Sequence, residues 1–181
     1  MKHSFKLFAL STFFLLALFS CKNEESIQTY FVEHQDKPEF LMIDLSPRMI
    51  DISQTELDDE QRKVYNSFKK VNVLGYKADK TDKTTYASEL EKAKTVFNNK
   101  EYSELMEFSD NGMKFQVNTI GEGEEIDEFI LLASSEEVGF AVVRVIGDNM
   151  QPEKLVQLME KMKDVDIDKN QLGKVMDYFN N

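Results

Sequence analysis

Apolar residues along this chain recur at a few characteristic spacings, and each spacing predicts an element. Ile27, Tyr30, Phe31 and His34 fall at helical intervals, and Lys37-Pro38 stops that helix because proline lacks the N–H a further turn needs. Phe40 to Leu45 is apolar except for Asp44, which predicts a short strand buried on both faces. Ser53-Gln54-Thr55-Glu56 has the spacing of a capping box, and it opens a helix with Leu57, Val64, Tyr65, Phe68 and Val71 on one face. Val71 to Tyr76 then runs as a second strand. Beyond the polar loop Lys77 to Lys83, the residues Tyr86, Leu90, Ala93 and Phe97 mark another amphipathic helix, which Asn98-Asn99 ends.

The centre of the chain changes to alternation. Tyr102, Met106 and Phe108 share a strand face, Asn111-Gly112 is a strong hairpin turn, and Met113, Phe115 and Val117 share a face of the next strand. Lys114, Gln116 and Asn118 point the other way, which predicts a wet face there. After a turn at Gly121 to Glu125, Phe129 to Ala133 and Phe140 to Ile146 form a second hairpin around Ser134 to Gly139. Two helices close the chain, with Leu155, Leu158, Met159 and Met162 on one and Leu172, Val175, Met176 and Phe179 on the other. The pattern predicts an α+β fold: a two-layer sandwich, mainly antiparallel sheet, with helices on one face. Strand order does not follow from periodicity.

The start of the chain is of another kind. Lys2, His3 and Lys6 precede an apolar run from Leu7 to Phe19 interrupted only by Ser11 and Thr12. At about 13 residues this run is too short to span a ~30 Å hydrocarbon core, so it reads as a secretory signal. Leu18-Phe19-Ser20-Cys21 resembles the bacterial lipobox, with a branched apolar residue three places before the cysteine and a small one directly before it. That resemblance implies cleavage before Cys21, lipid on its thiol and firm attachment to a bilayer. Residues 1–20 are then the signal peptide, 21–26 a tether and 27–181 a single α+β domain of a size that buries an adequate core. Lys22-Asn23-Glu24-Glu25 resembles the lysine-plus-acidic export signal of Bacteroidota surface lipoproteins and reads equally as an ordinary solvated tether, so the expected location is the outer membrane, on its periplasmic or cell-surface face.

Composition narrows the chemistry. The chain carries 22 Lys and Arg against 33 Asp and Glu, a formal charge of −11, and the signal removes two of the lysines. Such a surface repels phosphate backbones and anionic headgroups, so no nucleic-acid partner is expected and the membrane contact is the lipid on Cys21. Cys21 is the only cysteine, so no disulfide is available. His34 is the only histidine after the signal, which leaves no Cys-His nucleophile or His-Cys zinc site, and it reads as a helix-face residue. Asp58-Asp59-Glu60 reads as an acidic first helical turn that suits the macrodipole. Asp164-x-Asp166-x-Asp168 begins like a calcium loop but has Lys169 where glycine is needed and Val175 where glutamate is needed; it reads as a link that caps the last helix at Asp168. Gly121-Glu122-Gly123 precedes a strand, and its glutamate would repel a phosphate, so it is a turn. No catalytic, cofactor or metal residue is assigned.

Tyr30-Phe31 leading into Phe40-Leu41-Met42-Ile43-Asp44-Leu45-Ser46, the strand Glu104-Leu105-Met106, Asp110-Asn111-Gly112 and the hairpin of Phe129-Ile130-Leu131-Leu132 with Gly139-Phe140 resemble a family of Bacteroidota lipoproteins whose domain bears an unknown-function label (DUF4252-like). The resemblance covers nearly all of the chain after the signal and implies a lipoprotein, but its motifs are strands and turns and carry no catalytic residues. The expected function is a non-enzymatic, lipid-anchored envelope protein, a binding or signalling module for a protein partner or small ligand. The alternative is an envelope hydrolase working through paired carboxylates, which needs two of them in one cleft with their pKa values pushed apart.

Overall fold

In the computed structural model, which describes residues 26–46, 56–79, 81–122, 125–154, 157, 178 and 179, the alternating segments join into one antiparallel sheet. Its elements in chain order are α1 (Ile27–His34), β1 (Phe40–Leu45), α2 (Asp59–Ser67), β2 (Phe68–Lys77), α3 (Lys83–Phe97), β3 (Ser103–Asp110), β4 (Met113–Glu122), β5 (Glu125–Ser135) and β6 (Gly139–Met150). The strand order is β1-β2-β6-β5-β4-β3. The four-strand meander expected from the centre of the chain is present, and β2 joins it by pairing with β6, leaving β1 and β3 as the edges. Mainly antiparallel sheet with several helices is thus the observed class. Cys21, the expected signal of residues 1–20, the rest of the expected tether before Ser26 and Asp164 to Asp168 lie outside the described residues, as does most of the segment expected to form the two closing helices.

The core lies on one face of the sheet, where every second residue of the central strands points. Leu74 and Tyr76 of β2, Phe140 and Val142 of β6, and Ile130 and Leu132 of β5 form a single buried cluster with Ile27, Tyr30 and Phe31 of α1 and with Tyr86, Ala93, Val96 and Phe97 of α3. Tyr76 and Phe140 are direct cross-strand partners, and their rings stack at 5.2 Å. Phe40 and Tyr86 pack on the same pair. Ser26 caps α1 by accepting from the Thr29 N–H, and the Tyr102 hydroxyl accepts from the Ile27 N–H, fixing the start of this helix.

The opposite face is apolar as well. Phe129, Val117 and Val145 cluster there with Ile126 and Met150, and Phe68 links this cluster to Leu57, Val64 and Tyr65 around α2. The chain end reaches the same sheet: a Cβ on Gly75 would lie 3.0 Å from the Phe179 ring, so glycine makes the flat spot the ring occupies. The Tyr178 hydroxyl donates to the Glu39 carbonyl and accepts from the Lys77 N–H, tying β1 to β2.

Two expectations are corrected by this arrangement. The helix expected from Ser53 to Val71 begins at Asp59, where Asp58 and Gln61 form the capping box, and it ends at Ser67; residues 53–55 lie outside the described residues. Phe68 and Val71 satisfy the helical spacing, but pairing with β6 from Phe68 onward gives them ladder hydrogen bonds and a packed face, and tertiary pairing prevails. The wet face expected of β4 is corrected in part, since Lys114 is exposed there but its neighbours are not in open water. Gln116 and Asn118 point to the helix-covered side, where Asn118 is buried and donates to the Phe97 carbonyl at 2.8 Å, and Gln116 donates to Asn98. The Asn118 amide satisfies a carbonyl at the end of α3 that the helix itself leaves free, and Gln116 bonds the side chain of the capping residue Asn98.

Arg144 of β6 and Glu128 of β5 make a bidentate pair at 2.7 and 2.8 Å, with side chains 16% and 9% exposed. Deleting one partner strands a buried charge, whereas replacing both removes the problem. Glu128→Leu is expected to lower unfolding stability by about 3–5 kcal/mol, and Glu128→Leu with Arg144→Met to restore most of it, as read by urea denaturation. The buried tyrosines set a second expectation. Burial raises the phenol pKa of Tyr76, Tyr86, Tyr102 and Tyr178 because it penalises the phenolate. Their contribution to stability is complete below the ordinary tyrosine pKa of about 10 and is lost as pH rises through the raised values. Circular dichroism on raising pH should show unfolding above about pH 10, and Tyr86→Phe, which keeps the ring, should move the midpoint upward.

Candidate functional site

β3 is the one element of the sheet in which every residue is exposed. The type of exposure is unusual for an edge. Leu105, Met106 and Phe108 are 41%, 43% and 46% exposed, three of the five large hydrophobic residues so placed among the described residues. Phe108 stacks on its cross-strand partner Phe115 at 4.9 Å, and Met106 sits opposite Val117, so the two strands present one apolar strip. Glu104 and Glu107 pair with Asn118 and Gln116 and therefore point to the other side. The strand contains Glu104, Glu107 and Asp110 and no basic residue.

The hairpin turn settles which backbone groups are free. Asn111 and Gly112 both have positive φ, 47° and 79°, the conformation of a two-residue turn that suits strand twist. Such a turn makes Asp110 and Met113 a hydrogen-bonded pair, and the alternation of an antiparallel ladder then bonds Phe108 to Phe115 and Met106 to Val117. Glu107 and Ser109 are left with N–H and C=O aimed away from the sheet. Leu105 is the extra residue of a bulge between Glu104 and Met106, which ends the regular edge there.

A cleft of about 850 Å³ adjoins the tip of this hairpin, between α3 and the turn joining β5 to β6. Tyr86, Leu90 and Met113 supply apolar lining, and charges of both signs surround them, among them Lys83, Lys114 and Glu136. Asp79, also in the lining, accepts from both the N–H and the hydroxyl of Thr81, and those bonds hold its carboxyl below the ordinary range. A carboxyl so held stays ionised and is not the raised partner that a two-carboxylate mechanism requires.

The residues singled out from the sequence do not converge. His34 is buried between α1 and α3, with its Nδ1 at 2.8 Å from the Tyr30 carbonyl, its Nε2 at 3.6 Å from Glu89, and its ring between those of Tyr30 and Phe40. It is a packed helix-face residue, as its spacing indicated. Asp58 caps α2 while Asp59 and Glu60 fill its first turn. Among the described residues no group of three His, Cys, Asp or Glu side chains has metal-binding proximity, and no helix is long and apolar enough to cross a membrane. Glu107, Phe108 and Ser109 were not singled out as candidates. Their alternation was readable, but their exposure depends on β3 being an edge, and no local signal reports that.

No curated protein and no solved structure matches this chain. Residues 30–158, from within α1 to beyond β6, match the family described as Domain of unknown function (DUF4252); the match takes in the whole sheet with its exposed edge, and the chain belongs to that family.

Proposed function

We propose that this chain is a lipid-anchored, non-enzymatic binding module of the cell envelope, held at the outer membrane through Cys21 and facing the periplasm or the cell surface. The observation that carries the reading is β3, exposed at every residue, whose apolar strip stands on a sheet edge with no further strand paired to it among the described residues. Soluble domains guard such edges because an open row of N–H and C=O groups recruits other chains. An edge left open beside stacked aromatic rings is suited to a protein partner. The lipobox-like Leu18-Phe19-Ser20-Cys21 and the acidic surface support the anchor and its location, since an acidic domain is held to an anionic bilayer by its lipid and not by its face.

The test uses a photocrosslinking side chain in place of Phe108, in cells carrying either the native Cys21 or Cys21→Ala, with Val32 as an exposed control site on α1. The native form should gain acyl mass and give a discrete adduct from position 108 and none from 32, while Cys21→Ala should lose the acyl mass. An unacylated native chain would contradict the anchor, and monomer alone from both crosslinking positions would contradict the binding role.

A further inference from the structure

The two edges of the sheet are treated differently by the chain. β1 is short; Asp44 is engaged by Lys70 and by Asn72, and its beginning is tied to β2 by the Tyr178 hydroxyl. β3 has no such cover among the described residues. We infer that β3 is a docking edge for an extended segment of a partner protein, one whose side chains alternate between basic and apolar, and that this segment adds as a seventh strand. The inference rests on the binding role argued above and specifies the chemistry of the partner.

Three features carry it. Glu107 and Ser109 direct their backbone donors and acceptors outward, which is what strand addition uses for affinity. On one side of β3 the incoming strand meets Met106 and Phe108, backed by Phe115, and apolar side chains are the match there. On the other side it meets Glu107, with Glu104 just beyond the bulge, and the match is Lys or Arg. Because side chains of a strand alternate, these two requirements fall on alternate residues of the ligand. The bulge at Leu105 limits regular pairing to Met106 through Asp110, so the recognised segment is short.

The same charges argue against a second copy of this chain as the occupant. β3 paired with itself sets carboxylates against carboxylates across the junction, with no lysine or arginine in the strand to relieve them. Bulk attraction of any cation to an acidic protein is a separate effect and must be separated by the test, because it needs neither alternation nor a free backbone.

The experiment takes the full protein purified in detergent and a fluorescent nine-residue peptide alternating Lys and Val, and it follows anisotropy at two salt concentrations. The comparison peptides are the same residues in blocks of Lys and Val, and the alternating peptide with N-methyl groups on the amides of one edge, tested in both registers. The alternating peptide should bind about tenfold more tightly than the block peptide, and N-methylation of the pairing edge should remove binding. Glu104→Lys with Glu107→Lys should weaken binding by about tenfold or more while leaving the circular dichroism unchanged. Equal binding of all three peptides, or a dimer of this chain joined through β3, would overturn the inference. If no peptide binds yet position 108 still crosslinks a partner in cells, the basic strand is wrong and the binding role survives.

Discussion

The pairing of β2 with β6 joins two parts of the chain that have no local reason to meet. β2 follows a helix in the first half, and β6 ends the meander in the second, yet Tyr76 lies opposite Phe140, Leu74 opposite Val142 and Asn72 opposite Arg144. The stacked Tyr76 and Phe140 rings, with Phe40 and Tyr86 against them, make a dense aromatic centre that α1 and α3 close from above. Aromatic pairs of this kind contribute about 0.5–1.5 kcal/mol beyond the area they bury. Everything else in the sheet is placed by this junction. With β2 seated on β6, β1 becomes one margin and β3 the other.

The polar groups of the interior follow the same geometry. Glu128 and Arg144 lie on neighbouring strands at the side of the core and satisfy each other through two hydrogen bonds, and Asn118 donates to the Phe97 carbonyl at the end of α3. His34 is enclosed by rings and faces Glu89 across the contact of α1 with α3. Glu128 and Arg144 join two strands, Asn118 joins the sheet to α3, and His34 joins α1 to α3. The surface feature that stands apart is the β3 edge.

Much of the fold was readable from residue spacing. Ile27, Tyr30, Phe31 and His34 do form the inner face of a helix, as do Tyr86, Ala93 and Phe97, and Asn111-Gly112 does turn a hairpin. The reading failed where one residue satisfied two periods. Phe68 and Val71 fit a helix face by spacing and a strand by pairing, and only the distant β6 decides between them. It failed again at Gln116 and Asn118, whose polarity suggested water when their true neighbours are carbonyl and amide groups at the end of α3. Strand order is a property of contacts across the whole chain, so the exposure of Met106 and Phe108 could not be seen from their alternation. The lipobox-like Leu18-Phe19-Ser20-Cys21 was the sharpest sequence signal of all, and it bears on the proposed anchor and not on the fold.

A rigid sheet built outward from β2 and β6, with an open margin at β3, has a direct signature in hydrogen exchange resolved to single amides. The slowest exchange should fall on Leu74 and Val142, whose ladder bonds lie at the centre of the core. Glu107 and Ser109 should exchange far faster than their neighbours Met106 and Phe108, because their N–H groups face outward without a strand to bond. If Glu107 and Ser109 are instead as protected as Val142 in the isolated protein, the β3 edge is already covered, and the account of it as a free docking surface is wrong.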